Sequence, residues 1–299
     1  MKITRRPFLQ LLAGSATGLS ARLSNAETAN AETETSFPIG ACDWSIKKQQ
    51  DIAAFDVAKE IGLEGLQVSF STPGSEFDLR DKMVRERYYS RVDETGIQLA
   101  SLGMGILNKM PLATNPESID WVADVVDTMI TMQRERSTDA PTICLLAFFG
   151  NGDINGKPEL MDAVITKLKT VAPKAEDNGI VLGIESLLSA EDHLKIIDGV
   201  GSPAVQVYYD SANSHRMGYD IYTEVVQLGA ERICQIHCKE NGALLGEGEI
   251  DFTRFGNSLA EAGYDDWLII EGAMPKNADV VKSYRKNYQT LDATFRQAG

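Results

Sequence analysis

The sequence predicts an α/β protein built as a single (β/α)8 barrel of the TIM-barrel class, and three observations carry that expectation. Eight short apolar runs alternate with longer stretches whose apolar residues recur at three- and four-residue spacing, the period of amphipathic helices. Glycine stands at helix exits before the next run, as in Asn178-Gly179 and Ala262-Gly263-Tyr264. Four metal-friendly side chains, Glu185, Asp210, His237 and Glu271, close successive runs at gaps of 25, 27 and 34 residues, each about one strand–helix repeat.

Taken in order, residues 1–26 read as a twin-arginine signal peptide rather than as fold. Thr4-Arg5-Arg6-Pro7-Phe8-Leu9-Gln10 precedes a mildly apolar stretch over 11–19, and Ser24-Asn25-Ala26 or Ala29-Asn30-Ala31 supplies a small-residue cleavage site. Such a leader implies export after folding and a periplasmic mature protein. A polar linker over 27–36 leads into the barrel domain, 37–299. Strands are expected over 39–43, 65–70, 97–103, 142–148, 180–185, 205–210, 233–237 and 267–271. Helical periodicity marks 51–61, 81–95, 117–134, 158–178, 222–228 and 278–296. The main alternative, a doubly wound open sheet, expects a glycine-rich phosphate loop after the first strand. That turn instead reads Cys42-Asp43-Trp44-Ser45-Ile46.

The 299 residues suffice for one such barrel, which takes ~250. No apolar run reaches the ~18 residues of a membrane helix. The formal net charge is −14, and cleavage after Ala26 removes four cations and no acid, giving −18. So acidic a body has no electrostatic footprint for nucleic acid or anionic lipid, and no membrane association is expected once the leader is removed. Cys42, Cys144, Cys234 and Cys238 lack metal-finger spacing. Cys234 and Cys238, on one strand, lie roughly 13 Å apart, too far for a direct bridge. Buried free thiols are expected.

In a parallel barrel the carboxyl ends of the strands converge on one mouth. Glu185, Asp210, His237 and Glu271 would come from strands five to eight and share half the rim. Buried carboxylates are costly unless paired or bound to a cation. Three carboxylates and an imidazole favour one divalent ion, Mn²⁺ or Mg²⁺, with Co²⁺ and Zn²⁺ as alternatives. The competing interpretation, in which each residue merely caps its strand or pairs with a lysine, accounts for one such residue more readily than for four in register.

Several motifs follow one another in the second half: Gly183-Ile184-Glu185, Tyr209-Asp210, Ile236-His237-Cys238-Lys239-Glu240, Gly246-Glu247-Gly248-Glu249-Ile250-Asp251 and Ile270-Glu271-Gly272. In these the chain resembles the xylose isomerase-like (β/α)8 sugar isomerases and epimerases, over about residues 37–297. The resemblance implies that the four positions hold one divalent ion and that Glu185 and Glu271 also handle protons. The ion would chelate a carbonyl oxygen and an adjacent hydroxyl of an open-chain sugar and stabilise an enediolate. One glutamate would remove the proton beside the carbonyl. The other would return it, to the opposite face in epimerisation or to a neighbouring carbon in isomerisation. The resemblance also implies a small-molecule carbohydrate substrate and, by analogy, a homo-oligomer.

Two positions depart from the ketose 3-epimerases within that resemblance: Asn213 and Ala243 stand where those relatives carry a substrate-contacting His and Arg. Lys239 is expected either to polarise a substrate oxygen or to pair with Glu240 or Glu271. His215, in the loop after strand six, is a further candidate for substrate, and His193 is expected on a helix surface. Trp44, Phe148 and Phe149, at strand ends, are candidates for the floor of a sugar pocket or for core. The Gly246-Glu247-Gly248 turn is expected to redirect the chain rather than to cradle phosphate.

Three functions compete. The first is the metal-dependent isomerase or epimerase. The second keeps the site but expels a β-leaving group, making a lyase or dehydratase of keto-sugars or 3-keto-glycosides. The third is a noncatalytic sugar-binding barrel, disfavoured by two glutamates that binding alone does not need. A three-zinc DNA repair nuclease is disfavoured by the chain's three histidines, too few for a His-rich cluster, and by its acidic surface.

Overall fold

The computed structural model describes residues 37–70 and 72–295. The expected signal peptide and linker lie outside the described residues. Eight strands run in parallel: β1 (Ile39–Cys42), β2 (Gly65–Ser69), β3 (Gln98–Met104), β4 (Ile143–Ala147), β5 (Val181–Glu185), β6 (Val205–Asp210), β7 (Ile233–Cys238) and β8 (Leu268–Ile270). Each pairs with the next in sequence, and β1 pairs with β8 to close the barrel. The (β/α)8 expectation holds, with strand limits within one residue of those read from the sequence.

The helices are α1 (Ala54–Ile61), α2 (Lys82–Thr95), α3 (Ser118–Glu135), α4 (Pro158–Asp177), α5 (Ala190–Val200), α6 (Ser211–Arg216), α7 (Ile221–Leu228), α8 (Phe252–Glu261) and α9 (Val280–Phe295). Their starts are chemically marked. Asp81, Ser189, Asp220 and Asp251 each accept a backbone N–H of the first turn, satisfying donors that a helix leaves orphaned. Of the described helices, none is long and apolar enough to cross a membrane.

Strand side chains alternate between two cores. Ile39, Leu66, Leu102, Leu146, Ile184 and Ile236 point outward into the large layer beneath the helices. Ile143, Leu145, Ala147, Tyr208 and Cys234 fill part of the interior, and Cys42, Ala100 and Ile269, with Trp44 and Trp267, fill another part. All four cysteines are buried and free, as expected, and burial pushes their thiols up.

The loop between β1 and α1 is held in place by Asp43. Its carboxylate accepts from the Ser69 hydroxyl (2.7 Å) and from the N–H groups of Ser69 (2.9 Å) and Gln50 (3.1 Å). Burial pushes this carboxyl up to about 6 even though those donors oppose it. The anchored loop presents Trp44 to the carboxyl-end mouth of the barrel.

Candidate functional site

The register of the last four strands gathers the site. Asp210 lies opposite His237 across β6 and β7, and Glu185 ends β5 opposite Ala147. The Glu271 N–H donates to the Cys238 carbonyl at 3.1 Å, which carries the β8 backbone one residue past its ladder. One ligand atom from each of Glu185, Asp210, His237 and Glu271 lies within 4.8 Å of the others, a group that could hold a metal ion. His237 is fully buried. Its Nδ1 lies 2.8 Å from Glu185 Oε1 and 3.8 Å from both Asp210 Oδ2 and Glu271 Oε2.

Asp210 tests the fit. Its Oδ1 accepts the Asn213 N–H at 2.7 Å, capping α6. Its Oδ2 is buried and has no hydrogen-bond partner, with Lys239 Nζ 3.4 Å away. A buried carboxylate oxygen left open toward a histidine and two glutamates suits a divalent cation.

Glu271 is secured on both oxygens. Oε1 accepts from Trp44 Nε1 at 2.8 Å and Oε2 from Lys239 Nζ at 2.5 Å. Gly103 makes the first contact possible, because a Cβ there would sit 3.0 Å from the Trp44 ring. Glu240, the other partner considered for Lys239, is occupied elsewhere. It accepts the N–H groups of Asn241 and Ile250, both at 3.1 Å, and a Cβ at Gly248 would overlap its carboxyl. The turn at Gly246-Glu247-Gly248 therefore folds over a buried carboxylate and holds the chain ahead of α8.

The electrostatics follow from these partners. Burial pushes the Asp210 carboxyl up to about 7; Lys239 opposes this, and Glu271 and Glu185 add to it. Burial would raise Glu271 as well, but the His237 ring and the Lys239 ammonium overcome it and hold it at about 2. Such neighbours titrate as a system. Glu271, with two donors, is held in its charged form, whereas burial works against charge on Asp210. Burial disfavours charge on His237 and Lys239, yet the surrounding carboxylates raise both.

A cavity of about 620 Å³ opens over the cluster, lined in part by Trp44, Phe149, Glu185, Asn213, Lys239 and Glu271. Arg216 and Lys109 also face it, and sequence reading had not singled out either. The signal for Arg216 was its position three residues after Asn213, once a helix begins at Ser211. His215, expected in a loop, lies on α6 and is not among the cavity's lining residues; its Nδ1 is 4.0 Å from Glu249. His193 is on a helix as expected, but it is buried rather than on the surface. Its ring nitrogens meet Ser186 Oγ (2.9 Å) and the Ser189 carbonyl (3.1 Å). Burial pushes the ring down to about 4, so it is neutral. Phe148 is core, whereas Phe149 reaches the cavity.

The profile of the family described as "Xylose isomerase-like TIM barrel" matches residues 55–293. The chain belongs to this family. Among curated relatives of this xylose isomerase-like barrel, 2-epi-5-epi-valiolone 7-phosphate 2-epimerase of Actinoplanes sp. is 25% identical over 218 residues, spanning 71% of this chain and 77% of that protein. The 3-oxo-isoapionate decarboxylase of Pectobacterium atrosepticum is 30% identical over 140 residues, covering 42% of this chain and 50% of that enzyme. Among solved structures, L-ribulose 3-epimerase superposes with a TM-score of 0.69 over 88% of this chain and 96% of its own, at 17% identity, which establishes likeness of fold. Of the two departures noted within the family resemblance, Asn213 lines the cavity and its side-chain oxygen accepts from Arg216 at 3.3 Å. Ala243 is not among the lining residues.

Proposed function

We propose that this xylose isomerase-like barrel is a divalent-metal-dependent sugar isomerase or epimerase that moves a proton on the carbon beside a carbonyl, and that it works in the periplasm after twin-arginine export. One observation carries the proposal: Glu185 and Glu271, from opposite ends of a run of four adjacent strands, belong to the same buried cluster and line the same cavity. Two family relatives bearing on it are named as an epimerase and a decarboxylase.

A Mn²⁺ or Mg²⁺ ion held by Glu185, Asp210, His237 and Glu271 would supply Lewis-acid polarisation of a carbonyl oxygen. The chain's own residues do the rest. Glu271 is kept ionised and immobile by Trp44 and Lys239, so it is available as a proton acceptor without reorganisation. Glu185 engages His237 with Oε1 alone among the described residues, leaving its second oxygen for substrate. One carboxylate takes the proton and the other returns one. Lys239, already on the cavity wall, supplies positive charge where oxygen charge develops. Trp44 and Phe149 give a sugar ring apolar surface to lie on.

The lyase reading uses the same first step and differs in what leaves, and the decarboxylase relative keeps it in view. Incubating Mn²⁺-loaded protein with keto-sugars and 3-keto-glycosides in deuterated water separates the readings. The expected result is an epimer or isomer carrying one solvent deuterium. An unsaturated product would move the assignment to the lyase. Sugar binding with no deuterium uptake would end the enzymatic reading.

A further inference from the structure

Among the apolar side chains of the barrel interior lie a few buried polar ones. Gln67 of β2, Ser101 of β3 and Gln235 of β7 are fully buried. Gln235 Oε1 accepts from the hydroxyls of Ser101 (2.6 Å) and Tyr208 (2.7 Å). Gln67 reaches across to the opposite side of the barrel. Its Oε1 lies 2.8 Å from His237 Nε2 and accepts the Cys42 thiol at 3.2 Å. The amide nitrogen of Gln67 has no partner. Leaving a buried donor unmet is destabilising, so an apolar residue would serve the fold better unless the amide oxygen has a task.

An amide oxygen only accepts hydrogen bonds. At 2.8 Å from Gln67 Oε1, His237 Nε2 is placed to donate a proton to it. The other ring nitrogen, Nδ1, faces Glu185, Asp210 and Glu271; without an ion it shares a proton with Glu185 Oε1 at 2.8 Å, and a bound cation would take that proton's place. We propose that Gln67 is a positioning residue that selects the His237 tautomer protonated on Nε2, and so assigns Nδ1 as the nitrogen offered to a divalent cation. The inference rests on the proposed metal centre and adds a residue that shapes it without touching the ion. Outer partners of this type typically change metal affinity 10–100-fold.

Imidazole ¹⁵N NMR of the Mg²⁺-loaded protein is the direct test, with only His193 and His215 as other signals. The expected pattern for His237 is a protonated Nε2 and an unprotonated Nδ1. Gln67→Met, similar in length but without an accepting oxygen, should bind Mn²⁺ about 10–100-fold more weakly by EPR titration. Gln67→Glu, which still accepts, should recover most of that affinity. A proton on Nδ1 in the Mg²⁺-loaded wild-type protein, or Mn²⁺ binding by Gln67→Met within twofold of wild type, overturns the proposal. If Gln67→Met fails to fold, the wild-type tautomer decides. A wild-type protein that takes up no Mn²⁺ removes the metal reading itself, whereas normal uptake with the opposite tautomer removes only the role of Gln67.

Discussion

Glu185→Gln is expected to lower turnover by about 10²–10⁴-fold at saturating Mn²⁺, the range associated with a positioned acid or base. The side chain keeps its shape, and its amide can still face His237 Nδ1, so the thermal midpoint should hardly move. Glu271→Gln should be equally inactive, for a different reason. It loses the ionised acceptor, and its single amide oxygen can accept from only one of Lys239 and Trp44, which in the wild type hold one carboxylate oxygen each. The isotope pattern distinguishes the two variants. Each should introduce solvent deuterium into only one of the two epimers, the one whose C–H faces the surviving carboxylate, and net conversion should fail in both. Conversion within tenfold of wild type in either variant would sink the two-carboxylate mechanism.

Chelator-treated protein is expected to lose stability as pH rises from about 4 to 8. Asp210 and Asp43 have folded-state values raised to about 7 and about 6 by burial. A raised carboxyl stabilises the fold fully below its unfolded value near 4, and that contribution disappears as pH climbs through the folded value. Glu271 has the opposite sign with a window below about 4; the buried His193, pushed down to about 4, opposes the trend up to about 6.5, and the two aspartates together outweigh it. For Asp210 the effect is on the order of 4 kcal/mol. Mn²⁺ at about 1,000 times its dissociation constant should add about 4 kcal/mol and flatten the profile. Asp210→Asn should make the profile shallower without metal, leaving the Asp43 part, and respond weakly to Mn²⁺. Calorimetry across pH, with and without Mn²⁺, checks both arms; a chelated wild type that is more stable at pH 8 than at pH 5 would contradict the assignment.

The parallel strands were legible because each is buried on both faces and so reads as a short continuous apolar run. Glu185, Asp210, His237 and Glu271 were legible because each interrupts such a run at the same end. What could not be read is whatever crosses the barrel. Trp44 meets Glu271 across 227 residues of chain and Gln67 meets His237 across 170; closure of β1 onto β8, not local pattern, creates these pairs. Gln67 was nevertheless visible as a glutamine in the middle of an apolar strand, where a ladder position inside a barrel demands a reason. His193 was misplaced because a histidine among charged residues resembles a solvent face, while the Ser186 hydroxyl and the Ser189 carbonyl satisfy it internally. Arg216 was missed because α6 starts directly at Asp210, with no intervening loop to signal a new helix.

The sealed thiols give the chain a built-in clock. Cys42, Cys144 and Cys238 have no accessible surface and Cys234 only 4%, so an alkylating reagent reaches them only when the barrel opens. If the barrel opens as one unit, all four should be labelled together, at a rate equal to that of global unfolding. Counting adducts by mass over time would then measure the lifetime of the native protein directly, and any adduct that appears ahead of the others would mark the stave that parts first.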